Sequence, residues 1–129
     1  MNFGMGLQLA LVAMGGAIGA ALRYLAGALV PVGVGLPWAT LSVNIIGCFS
    51  IGLIAGYFAD ELWYQSWGKY LIVIGMLGGL TTFSAFSYEI INLGSNDRWP
   101  LAIGYALVSV LGSLVAAALG YKLANQLVG

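Results

Sequence analysis

The sequence predicts an all-α membrane protein with four transmembrane helices, and three observations carry that prediction. Of its 129 residues, 61% are apolar and 6% charged, with a mean hydropathy of +1.00. That is the composition of a chain whose solvent is lipid. Four mostly apolar runs, each near the roughly 20 residues that cross a bilayer as a helix, are separated by short polar interruptions. The runs take up nearly the whole chain, so a single four-helix transmembrane domain over residues 1–129 is expected.

The first run covers about residues 5–30. A secretory signal would place Lys or Arg ahead of its apolar stretch; none stands there, so the segment reads as a span. The second covers about 37–58, and the fourth about 100–124. Each opens on a proline, Pro37 and Pro100, at a first-turn position where a missing N–H costs nothing. The third covers about 70–93. Asp60-Glu61 and Asn96-Asp97-Arg98 mark polar turns, and an even number of spans leaves both termini on one side. Lys69 and Lys122 fall on the side of the termini, Arg23 and Arg98 on the other. Orientation normally follows an excess of Lys and Arg on the cytoplasmic side. Without such an excess the chain is expected to insert both ways, which allows two copies to assemble antiparallel. Cys48 stands alone, so no disulfide within the chain can form, and it reads as a small buried hydrophobe.

Within the third run, Gly78-Gly79-Leu80-Thr81-Thr82-Phe83-Ser84-Ala85-Phe86 is the most informative stretch. Adjacent glycines and threonines are poor helix formers, so an interruption of the helix is expected at mid-span. Non-helical backbone at that depth survives only inside protein or beside a water-filled cavity. A binding or permeation element belongs there.

Small residues recur at a spacing of four, as in Gly15/Gly19, Gly52/Gly56, Gly75/Gly79 and Ser109/Ser113. Such faces let helix backbones approach closely. Four helices packed around one axis fill their centre with side chains, so a partner copy is expected to complete any pathway.

Polar side chains inside the spans are few. Thr40 and Asn44 share one helix face; Asn44 supplies two N–H donors and an acceptor, suited either to an anion or to bridging a neighbouring helix. Tyr105, Ser109 and Ser113 form a stripe of hydroxyls over two turns, which reads as a hydrated pathway. Phe83 and Phe86 flank the expected interruption, and a phenyl ring presents a positive edge. Together with Asn44 and the hydroxyls of Thr82 and Ser84, they make a donor set for a small, strongly hydrated anion. No Lys, Arg or His lies at mid-span to trap such an ion. Arg23, near the far end of the first span, either snorkels to the headgroups or makes an electropositive vestibule. Glu89, an acid inside the third span, is a functional candidate with no assigned role.

These residues resemble the small fluoride channels of the Fluc, or CrcB, family. The resemblance runs through Gly15-Gly16-Ala17-Ile18-Gly19-Ala20 and Arg23, through Thr40-Leu41-Ser42-Val43-Asn44-Ile45-Ile46-Gly47, through Gly78 to Phe86 with Ser87 and Glu89, and through Gly112-Ser113. Ala85 stands where the family often carries Thr. The resemblance implies an antiparallel, dual-topology homodimer in the plasma (inner) membrane of a prokaryote, with two pores for passive export of fluoride. It implies that Asn44, Phe83 and Phe86 line each pore, and that Thr40, Tyr105, Ser109 and Ser113 continue a polar track. It also implies a structural sodium ion at the dimer interface, held by the backbone carbonyls of Gly78 and Thr81.

Other classes fit poorly. A small multidrug exporter also has four spans, but it carries an acid in its first span, and none is present here. A purely structural membrane protein would scatter its polar residues. An enzyme is not expected, with no His, one Cys and no nucleophile–base pair. Nor is a nucleic-acid partner, at a net charge of zero. The partners expected are fluoride, a second copy and the lipid bilayer.

Overall fold

The computed structural model describes residues 3–30 and 35–129. Four helical stretches in it are long and apolar enough to cross a membrane. The first is α1 (Met5–Leu29) and the second α2 (Trp38–Phe58), which starts directly after Pro37. The third stretch is built from three pieces, α3 (Tyr64–Leu77), the single turn α4 (Gly78–Leu80) and α5 (Phe83–Ser95). The fourth is α6 (Trp99–Val128), with Pro100 in its first turn. No strand occurs among the described residues.

Two boundaries differ from the sequence reading. The third stretch begins at Tyr64, six residues ahead of position 70, and the fourth continues to Val128, past 124. Lys69 lies inside the third stretch, and a lysine can stay in a helix by running its alkyl stem along apolar surface toward water. Lys69 Nζ lies 5.0 Å from the ring centre of Tyr70. Aromatic rings gather around the same turn. Tyr57 stacks edge-on to Phe58 at 4.7 Å, Phe58 to Trp63 at 5.1 Å, and Trp63 tilts onto Trp67 at 5.4 Å. Rings with an apolar body and a polar tip settle at the membrane–water boundary. Through α3 the turns are of the wide π type, which is rare and recurs near functional sites.

The helices associate as two pairs and not around one axis. α2 runs along α6, and α1 runs along α3 and α4. Among the described residues α1 meets neither α5 nor α6. The third stretch therefore changes partner halfway, with α3 and α4 lying on α1 and α5 lying on α6.

Glycine makes the α1–α3 crossing. Gly15 and Gly19 are the buried residues of α1, and a Cβ placed on Gly75 would lie 2.9 Å from both the Gly15 Cα and the Val12 carbonyl oxygen. On Gly79 it would lie 2.7 Å from the Gly16 carbonyl oxygen. The backbones touch, which is how membrane helices gain van der Waals energy when lipid offers no hydrophobic drive. Across α2 and α6 the same device brings Gly56 against Ala124, where a Cβ would come within 2.7 Å of the alanine methyl. A small core of Leu41, Phe86, Leu93, Ala102 and Tyr105 fills the space between α2, α5 and α6. Large apolar side chains elsewhere face outward from every span, as a lipid solvent allows.

Candidate functional site in the third span

Between α4 and α5 the backbone leaves the helical region for two residues, Thr81 (φ −80°, ψ 149°) and Thr82 (φ −150°, ψ 126°). Each threonine hydroxyl then serves a helix end. Thr81 Oγ1 donates to the Leu77 carbonyl at 2.9 Å. Thr82 Oγ1 accepts from the Ala85 N–H at 3.1 Å, an N-cap for α5, and lies 3.1 Å from Ser84 Oγ.

Asn44 holds this joint from α2. Its Nδ2 donates to the Thr82 carbonyl at 3.1 Å, and its Oδ1 accepts the Thr82 N–H at 2.7 Å. The side-chain amide thus pairs with both backbone groups of Thr82, and its oxygen takes up the N–H that the unwinding freed. Arg23 holds it from α1, donating Nε–H to the Gly79 carbonyl at 3.1 Å. That contact places the guanidinium against the helix end, a position favoured for a cation at a C-terminus.

Among the carbonyls that the break deprives of helical donors are those of Gly78 and Thr81. The N–H four residues beyond Gly78 belongs to Thr82 and goes to Asn44; the one four beyond Thr81 belongs to Ala85 and goes to the Thr82 hydroxyl. The Gly78 and Thr81 oxygens are therefore open to another partner.

Beside the joint lies a groove of about 290 Å³, walled by Asn44, Thr82, Phe83, Phe86, Ser109 and Ser113. The two phenyl rings sit 5.3 Å apart at 51° but in different surroundings. Phe83 is 75% exposed and Phe86 only 8%, the latter packed on Tyr105 at 5.4 Å. Ser109 is 95% buried by the same measure and its Oγ has no hydrogen-bond partner among the described residues.

A second cavity, of about 320 Å³, has Thr40, Glu89 and Asn92 in its wall. Glu89 is the hub there. Its Oε1 accepts from Thr40 Oγ1 and its Oε2 from Tyr105 OH, both at 2.6 Å. Short bonds to a carboxylate are the strong kind, and they tie α2, α5 and α6 together. Tyr105→Phe leaves one oxygen of that acid unserved, which costs about 1–3 kcal/mol. A melt of the purified protein in detergent is expected to shift down for Tyr105→Phe; an unchanged midpoint counts against this role for the bond.

The structure thus gathers Asn44, Thr82, Phe83, Phe86, Ser109 and Ser113 at one groove and Thr40, Tyr105 and Glu89 at one hydrogen-bonded centre. Ser84 stands apart from the groove wall, bonded to Thr82. Asn92 was missed by sequence reasoning, although its place one turn after Glu89 puts both on one helix face.

Four apolar spans with polar side chains turned inward around an unwound joint define an integral, multi-pass membrane protein with a candidate path for a small solute. The family model described as "CrcB-like protein, Camphor Resistance (CrcB)" matches residues 10–121. The chain belongs to the CrcB family. A protein of Magnetococcus marinus named "Fluoride-specific ion channel FluC" is 45% identical over 116 residues, covering 88% of this chain and 94% of that relative. A Thermus thermophilus protein of the same name is 43% identical over 126 residues, covering 92% and 96%. A third, from Chloroflexus aurantiacus, is 41% identical over 114 residues, covering 87% and 90%.

Proposed function

We propose that this chain is a fluoride-selective channel that lets cytoplasmic fluoride leave passively through the inner membrane of a prokaryote and so lowers its toxicity. The observation that carries the reading is the groove at the Thr81-Thr82 joint, where amide, hydroxyl and ring-edge donors meet with no cationic side chain in the wall, in a chain whose relatives are named fluoride-specific channels. A small hard anion entering it exchanges water for the second N–H of Asn44, the hydroxyls of Ser109 and Ser113, and the positive edges of Phe83 and Phe86. Thr40, Tyr105, Thr82 and Ser84 continue the route, and Glu89 orders it by fixing two hydroxyls. Arg23 raises the anion concentration at the mouth through the guanidinium nitrogens that Gly79 does not occupy.

The working unit in this reading is an antiparallel homodimer with two pores. Phe83, 75% exposed in one chain, is then covered by the partner copy. A structural sodium ion sits between the copies on the Gly78 and Thr81 carbonyls, which the local hydrogen bonding leaves open. Hard, uncharged oxygens suit a monovalent cation.

A fluoride electrode outside loaded liposomes tests the function. Release that starts on adding valinomycin, with negligible chloride release, is the expected outcome; release that needs a proton gradient would replace the channel by an exchanger. Phe83→Ile removes a ring edge without disturbing the core of the single chain, where Phe83 is exposed. It is expected to slow fluoride release about tenfold, the rate equivalent of ~1.4 kcal/mol in the barrier. An unchanged elution volume with unchanged flux would remove the ring-edge argument.

A further inference from the structure

The turn between α5 and α6 carries a positive charge, on Arg98, that the ion route proposed above does not use. Arg98 stands at the N-cap of α6 with its N–H donating to the Leu93 carbonyl at 3.0 Å, and Asp97 before it takes a left-handed conformation (φ 58°) with its N–H on the Gly94 carbonyl at 3.0 Å. Trp99 closes the turn from above, so near Gly94 that a Cβ there would lie within 2.7 Å of the indole ring. The backbone of Arg98 is thereby fixed. Its side chain crosses to the entry of α2, where the three atoms nearest to a Cβ built on Gly35 are Nη1, Nη2 and Cζ of the guanidinium. Gly35 has φ 80°, a left-handed backbone that glycine adopts without cost, and its lack of a side chain leaves the guanidinium its seat. Gly35 also belongs to the wall of the cavity that holds Thr40, Glu89 and Asn92.

A cation at that place matters because of Glu89. Both of its oxygens accept hydrogen bonds, the pattern of an ionised carboxylate, and a negative charge in the wall repels an entering anion. A sphere of the cavity's volume is roughly 8–9 Å across, close to the Debye length of about 8 Å at physiological salt. A guanidinium seated on a wall residue therefore acts on most of the cavity. We propose that Arg98 is a specificity-determining residue of the anion route, whose guanidinium, held on Gly35, offsets the charge of Glu89 and draws the anion into the cavity walled by both residues. This rests on the reading of that cavity, with Thr40 and Glu89 in it, as part of the path of the anion. Arg98 acts through its field and not by ligation, and because it is exposed, salt screens it.

The test is a charge series at one position, Arg98→Lys, Arg98→Gln and Arg98→Glu, with fluoride current recorded in planar bilayers of zwitterionic lipid, so that no lipid charge competes. Sodium isethionate, a bulky salt, sets the ionic strength at about 0.01 M and then about 1 M, which shortens the Debye length from about 30 Å to about 3 Å. At low salt Arg98→Lys is expected to match the parent, Arg98→Gln to carry about threefold less current or lower still, and Arg98→Glu the least. At high salt the four proteins are expected to converge. Equal currents across the series at low salt overturn this inference and leave the channel reading standing. So does a loss that persists at high salt or that lysine does not rescue, since a support of the turn would behave in that way. An Arg98→Gln protein that elutes as aggregate has the same meaning. Absence of fluoride current in the parent overturns the channel reading, and this inference falls with it.

Discussion

Asn44→Asp is expected to abolish fluoride release. The asparagine donates to the Thr82 carbonyl at 3.1 Å and accepts the Thr82 N–H at 2.7 Å. Aspartate keeps the acceptor and turns the donor into a second oxygen facing a carbonyl oxygen. One buried bond is lost with its partner left unserved, about 1–3 kcal/mol, and a negative charge is set beside the groove that an anion must enter. The two effects act in the same direction. A loss of about a hundredfold in rate corresponds to ~2.7 kcal/mol in the barrier, well within what they supply together. The liposome assay measures it, with size-exclusion chromatography to show that the variant is still assembled. An Asn44→Asp protein that conducts within about threefold of the parent would contradict the assigned role, since a fully ionised carboxylate at that place repels an anion.

The largest stability change is expected from Gly75→Leu. Even the first carbon of a side chain at residue 75 would stand 2.9 Å from the Gly15 Cα and from the Val12 carbonyl oxygen. Both are backbone atoms of α1 and cannot swing aside, so the helices must separate. Overpacking costs about 1–3 kcal/mol, occasionally more, and here a whole crossing loses its close contact. Gly104→Leu is the matched control, because nothing lies within 4 Å of the Cβ position there. Purified protein in mild detergent is expected to show a clearly lower melting midpoint and more aggregate for Gly75→Leu than for Gly104→Leu. Equal behaviour of the two would mean that the α1–α3 crossing is not held by contact between backbones.

The four spans were legible because lipid imposes one simple demand, a run of apolar residues of fixed length. The polar turns at Asp60-Glu61 and Asn96-Asp97 were legible for the same reason. The start of the third span was not, since Lys69 resembles a stop on a hydropathy scale while its side chain lies over the Tyr70 ring. Partner choice was also hidden. Asn44 in a span declares a need for hydrogen bonds, but that it meets this need with Thr82, 38 residues on, depends on how α2 is seated against the joint. Glu89 shows the same limit. Its acid announced a purpose, but Thr40 and Tyr105 approach it from two other helices, and no periodicity along one helix encodes a contact among three. Arg23 was placed by its distance from the end of a span, whereas Gly79 claims it by geometry.

The switch of the third stretch from α1 to α6 has a mechanical side. At mid-bilayer depth the two helix pairs are strapped together through Thr81-Thr82, and this strap is two extended residues pinned by the Asn44 amide. A membrane of altered thickness tilts long helices, and where the two pairs lean by different amounts the strain falls on the Thr81-Thr82 link. Torque from the surrounding lipid is thus delivered to the two hydrogen bonds between Asn44 and Thr82.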